Sequence, residues 1–290
     1  MDFITSAEFK PKNMGFSKPI PQAAGTYRVM VQYLNESTEQ KAPLYVLTPK
    51  LFSFGVSPQA AMGESLKDDH SNVTTYTLPL VLYNHNNGGP TKEEQDFIDL
   101  LETIVQKVKD HCVTEEFNSD IARYGDDSVT ASDLKKLNPI YVKRERGVPV
   151  AGKSPMLYPK IKHKVVENKV SFSTIFNENN SSYTTDTSMR VLDVDPHSLI
   201  GSRMHVKAKL HIESIFIGSR ISIQLKLSQV LYESVDQVVP IRIAPFGENV
   251  HSLTTETQNS QKHFDASENN TPNIQGSDEI QLSDDDECSN

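Results

Sequence analysis

Cysteine is nearly absent: Cys112 and Cys288 are the only two in 290 residues. One falls on a predicted helix and the other near the chain end, which excludes a disulfide framework and suits a reducing compartment. No CxxC pair and no HExxH occur, and the nine histidines are scattered, so neither a zinc site nor another metal site is expected. No Gly-rich loop can cradle a phosphate, since Gly88-Gly89-Pro90 is not followed by Gly-Lys-Ser/Thr. Asp193 and Asp195 resemble a carboxylate pair, but they precede a Pro turn, where Asp is common for turn geometry alone. No apolar run approaches the ~20 residues of a membrane-spanning helix. The opening MDFITSAEFK lacks the apolar stretch of a signal peptide. No internal repeat is found. These absences predict an intracellular soluble protein that contacts no membrane, holds no cofactor and is not an enzyme.

Apolar residues are also sparse, at 37% of the chain, so part of it should stay unpacked. The formal charge of −9 is unevenly spread. From Glu248 to Asn290 there are ten acidic residues and one basic residue, Lys262. Taking these from totals of 38 acidic and 29 basic leaves residues 1–247 balanced at 28 of each. Net acidity therefore does not argue against a polyanionic partner, because local patches decide that. The composition divides the chain into an extended N-terminal arm (1–25), a β-rich folded domain (26–247) and a disordered acidic tail (248–290). The tail can compete for a cationic groove, recruit basic partner proteins, or serve solubility alone.

Within the domain, strands are predicted over Tyr27 to Leu34, Pro43 to Val56, Val73 to Tyr83, Tyr158 to Val166 and Val170 to Phe176. Pro79 suggests an edge or a bulge in the third. Gln59 to Asn72 and Glu115 to Asp133 read as loops. Thr91 and Glu94 form a capping-box pattern before Phe97, Ile98, Leu100, Leu101, Ile104, Val105 and Val108 at helical spacing. A helix over about Lys92 to His111 should lay that stripe on a sheet.

The strongest pattern runs from Arg203 to Tyr232. Met204, Val206, Ala208, Leu210 and Ile212 alternate with Arg203, His205, Lys207, Lys209 and His211. Ile221, Ile223, Leu225 and Leu227 alternate with Ser222, Gln224, Lys226 and Ser228, and Gly218-Ser219 stands between. That is a long hairpin with one apolar and one cationic face. Lys135 to Lys169 adds ten basic residues against two acids, with aromatics beside them. Lysines along a sheet face neutralise phosphates, and aromatic rings stack on unpaired bases. The candidate phosphate contacts are Lys143, Arg144, Arg146, Lys160, Lys162, Lys164, Arg203, Lys207, Lys209 and Lys226. Tyr141, Tyr158 and Phe52 are the candidate stacking platforms, and Tyr45 is a further one. The plainer alternative is that the rings are core and the lysines only keep a face wet. A protein-interaction or virion scaffold is the second functional reading.

The segment APLYVLTPKLFSFGV (Ala42 to Val56) resembles part of a family from nucleocytoplasmic large DNA viruses, of the African swine fever virus type. So does the order of helix, basic YPKIKHK segment (Tyr158 to Lys164) and terminal hairpin ending KLSQVLYE (Lys226 to Glu233). The resemblance covers most of residues 26–245 and rests on order and spacing. It implies a single-stranded-DNA-binding protein on an OB-like antiparallel β-barrel with one packed helix. It also implies a role in viral DNA replication, recombination or repair, in the host cytoplasm at the viral factory or packaged in the virion. The implied partner is single-stranded DNA, with RNA and self-association left open.

Overall fold

In a computed structural model, residues 3–61, 63–67, 71–122, 129–134, 137–166, 169–178, 194–218 and 220–235 are described. The tail from 248 lies outside them, as do Asp193 and the Ser219 of the expected turn. The N-terminal half holds β1 (Met14–Phe16), β2 (Ile20–Pro21), β3 (Tyr27–Asn35), β4 (Gln40–Leu47) and β5 (Leu51–Ser53). There follow β6 (Ser57–Ala60), β7 (Val73–Thr77), β8 (Leu80–Val81), α1 (Lys92–Cys112) and α2 (Glu115–Ala122). The basic region supplies β9 (Arg144–Glu145), β10 (Val148–Pro149), β11 (Met156–Leu157), β12 (Lys160–Ile161), β13 (His163–Val166), β14 (Lys169–Phe172) and β15 (Ile175–Glu178). The terminal hairpin is β16 (Met204–Ile217) and β17 (Ile221–Ser234).

The alternation read in the hairpin is real. Met204, Val206, Ala208, Leu210 and Ile212 are each 0–1% exposed. Burying one such aliphatic side chain stabilises the fold by about 1.5–3 kcal/mol. The same core takes in the stripe of α1, with Phe97, Leu100, Leu101, Ile104 and Val108 buried in it and Ile98 half-buried against it, and Val105 is buried as well. The capping box is formed: Thr91 Oγ1 accepts from the Glu94 N–H at 3.3 Å, and Glu94 Oε2 accepts from the Thr91 N–H at 2.7 Å.

β16 is the hub. It pairs with β17 along its whole length, and on its other side with β5, β4 and β3 in turn. The main sheet runs β1-β3-β4-β16-β17-β12-β7-β6. It is β-rich and large, as expected, but it is mixed, because β12 and β15 lie parallel to β17. Its path ends at β1 and β6 rather than closing into the antiparallel barrel that the resemblance implies.

Several local expectations are corrected. The N-terminal arm is stitched to the body: β1 pairs with β3, and the Ile4 N–H donates to Tyr45 O at 2.9 Å. Pro49 and Pro79 split their predicted strands in two, since proline offers no N–H to a ladder. Glu115–Ala122 is helical, drawn into the core by Phe117 and Ile121 at 1% exposure each. The predicted 158–166 strand breaks at Lys162, and β13 and β14 form a separate two-stranded hairpin. Its root is pinned by Thr174, whose Oγ1 accepts from the Lys162 N–H at 2.9 Å and donates to Leu227 O at 2.8 Å.

Gly55 has φ +91°, and a Cβ there would meet Leu199 O and Ser202 N at 2.5 Å. Only glycine allows the turn after β5 to press against the segment that leads into β16.

Candidate nucleic-acid interface

Cross-strand partners share one side of a sheet. On the side of β16 away from the core, His211 stands between Tyr45 of β4 and Lys226 of β17, and Lys226 pairs with Lys160 of β12. One step along, Lys209 stands opposite Gln229, and then Lys207 opposite Leu231. Further on, His205 stands between Phe52 and Glu233. Side chains from four separate segments thus reach one side of the sheet.

The contacts among them are specific. Lys209 Nζ lies 4.6 Å from the Tyr45 ring centroid, and that ring stacks on His211 at 4.6 Å. Tyr45 therefore holds a lysine and a histidine in place and is not a bare platform. The cation–π contact contributes about 0.5–1 kcal/mol. Lys162 Nζ approaches His211 Nδ1 to 3.4 Å. Burial and the neighbouring Lys162 push the His211 pKa down to about 4. Burial also lowers the Lys162 pKa, and Lys226 and Lys209 lower it further while Glu213 opposes them. Lys226 is ion-paired with Glu213 at 3.0 Å. Glu213 occupies an irregularity in the β16–β17 register between Ile212 and Ser214, where the alternation slips.

The predicted residues do not all converge. Lys160, Lys162, Lys207, Lys209 and Lys226 belong to the β16 face or border it. Arg203 is exposed just before β16, with its carbonyl accepting from the Val235 N–H at 3.0 Å. Lys164 is exposed on the separate β13–β14 hairpin, so Lys160, Lys162 and Lys164 do not form one face. Lys143, Arg144 and Arg146 sit on the β9–β10 hairpin, also outside the main sheet. There Lys143 is 3.8 Å from Glu145, and Arg144 Nη1 donates to Gly147 O at 3.1 Å. Arg146 has φ +51° and Gly147 φ +83°, the left-handed pair of a tight hairpin turn.

Among the rings, Tyr141 is 36% exposed and meets Tyr158 edge-on at 5.8 Å. Tyr158 is half-buried, and burial raises its pKa. Phe52 is half-buried, edge-on to Phe54 at 5.1 Å and to His205 at 5.8 Å. Phe54 is 49% exposed, more open than the Phe52 ring that the sequence singles out.

A second polar cluster lies at β7. The Tyr76 hydroxyl is 3.1 Å from His197 Nε2, and His197 Nδ1 is 3.1 Å from Asp195 Oδ1. Tyr76 is 2% exposed and burial raises its pKa, so the phenolate is disfavoured there. The chain of contacts ties the 194–200 segment to the sheet. Among the described residues no group of three or more His, Cys, Asp or Glu is placed to hold a metal ion.

Fold and face together define a β-rich α+β protein whose sheet carries cations and rings on its outer side. The chain belongs to the family described as "Protein of unknown function (DUF2738)", whose model matches residues 7–273. It is similar to the "Early 31 kDa protein" of Frog virus 3 (isolate Goorha), at 30% identity over 224 residues. That match covers 77% of this chain and 76% of the relative.

Proposed function

We propose that this protein binds single-stranded DNA without sequence preference, in viral DNA replication, recombination or repair. The observation that carries the reading is the convergence of Lys160, Lys162, Lys209 and Lys226 from separate segments onto one side of the sheet. Lysines so placed neutralise phosphates and release counterions. The exposed rings of Tyr141 and Phe54 offer faces to unpaired bases, at about 1–3 kcal/mol per stacked base. Duplex DNA hides those base faces, which favours a single strand. The word "early" in the relative's name fits a factor needed when replication begins, and a viral origin fits the same relative. On this reading the protein works in the viral factory of the host cytoplasm, or travels in the virion. The chemistry is binding, with no bond made or broken.

An OB-like reading of the sheet draws on its branches. β16 pairs with β5, β5 with β8, β16 with β17, β17 with β12 and β12 with β7. Since β7 and β8 are nearly continuous in the chain, these pairings make a circuit similar in outline to such a barrel.

The scaffold reading has its own support in Ile175 and Leu231, each 39% exposed on neighbouring strands. A band shift with oligo-dT, an RNA oligomer and a duplex of equal length separates the readings. Preferential retention of oligo-dT at low salt is expected. A folded protein that retains none of the three favours the scaffold.

A further inference from the structure

Lys162 sits where β12 ends. Its N–H donates to Thr174 Oγ1 at 2.9 Å, and its carbonyl accepts from the Ser173 N–H at 2.8 Å. That closure takes Lys162 out of the ladder, and its ammonium lies against His211 of β16. Lys209 and Lys226 repel the same ammonium, and Lys226 also opposes protonation of His211. Among the described residues, Glu213 is the carboxylate that acts on Lys162 and His211, and it is already paired with Lys226. Lys162 and Lys226 thus share one acid in a half-buried place, with Lys209 near enough to repel Lys162. Gathering like charges out of water costs free energy unless an anion joins them.

We propose that this cluster takes one phosphate group of the bound strand and thereby fixes its path: the strand crosses the sheet from Lys209 over Lys226 and Lys162 toward Tyr158 and Tyr141. The inference rests on the single-stranded-DNA reading and adds a direction to it. The register supports a crossing. Lys226 of β17 stands beside Lys160 of β12, and neighbouring strands are about 4.8 Å apart. From β16 to β12 is then about 10 Å. Along 156–161 the buried residues are Leu157, Pro159 and Ile161, which leaves Met156, Tyr158 and Lys160 on the other side. Tyr158 carries the path to the exposed ring of Tyr141 and so to the basic β9–β10 hairpin. The competing route follows β16 past Lys207 to His205. There Lys207 stands opposite Leu231, and the Lys50 ammonium is already paired with Glu233, so that route gathers no cluster of ammonium groups.

The test compares two sets of variants of the full chain, using anisotropy of labelled oligo-dT over a salt series. Lys162→Gln and Lys209→Gln lie on the crossing, and Lys207→Gln and Arg203→Gln lie on the other route. Each crossing variant should lose about tenfold in affinity, as for a charged hydrogen bond, and about 0.7 in salt slope. The other pair should stay within about twofold. Circular dichroism checks that each variant is folded. Lys226 is left intact because its loss strands Glu213. Equal losses in both sets, or losses confined to Lys207 and Arg203, overturn the path while leaving single-strand binding in place. Wild-type protein that ignores oligo-dT at low salt overturns the underlying reading. A second arm follows the His211 imidazole by NMR during titration with inorganic phosphate. An upward pKa shift of His211 is expected, and an unmoved resonance overturns the phosphate site. Tighter binding of oligo-dT than of phosphate at equal phosphate concentration distinguishes the polymer from the free anion.

Discussion

The ammonium of Lys162 lies 3.4 Å from Nδ1 of His211, a contact that is favourable only while the imidazole is neutral. His211 is 6% exposed, and its pKa is pushed from about 6.5 to about 4. As pH falls through about 6.5, the unfolded chain takes up the proton and the folded one does not, so stability declines. The decline levels off as pH falls through about 4, below which both states are protonated. Between about pH 7.5 and pH 5 the cost is about 2 kcal/mol. Urea unfolding at the two pH values should show this loss in the wild type and a loss smaller by that amount in His211→Gln. Equal losses would mean that His211 titrates normally in the fold.

Thr174 is 4% exposed and bonds in two directions, to Lys162 and to Leu227. Thr174→Val keeps the shape and removes the hydroxyl, leaving two buried backbone groups with one partner fewer. A loss of about 1–3 kcal/mol in urea unfolding is expected. Weaker oligo-dT binding should accompany it, because the root of the β13–β14 hairpin positions Lys162.

Much of this was legible in the sequence. The α1 helix was, because a capping box and a seven-residue stripe point the same way. The β16–β17 hairpin was, because strict alternation over two arms has no other reading. The break in the expected Lys160–Lys164 face was not, since period two assumes an unbroken strand and the hydrogen bonds of Thr174 interrupt this one. The role of Tyr45 was not either. Whether a ring meets a base or a neighbouring lysine depends on the cross-strand register with Lys209 and His211, which spacing within one strand does not encode. The α2 sequence reads as a loop because its acidic surface outweighs its two core anchors, Phe117 and Ile121.

Cys112 is fully buried, and burial alone pushes its thiol up to about 12. The thiolate, the reactive form, is absent at neutral pH. In a Cys288→Ser background, no reaction with an aromatic disulfide reagent is expected until urea unfolds the chain. Prompt labelling of the native protein would show that the base of α1 opens.

The segment from Glu248 onward carries ten acids and one lysine. If it competes for the cationic face, deleting residues 248–290 should tighten oligo-dT binding, with the greatest gain at low salt. Unfolding by urea should be unchanged. Equal affinities for the full and truncated chains would leave the tail to solubility or to replication proteins.

The most direct measurement is an oligo-dT titration across a salt series, with wild type and a Lys160→Glu/Lys209→Glu variant side by side. The outer face of the sheet as a polynucleotide surface requires tight wild-type binding at low salt and a log–log slope reduced by about 1.4 in the variant. Absent wild-type binding, or identical slopes in two folded proteins, would contradict it.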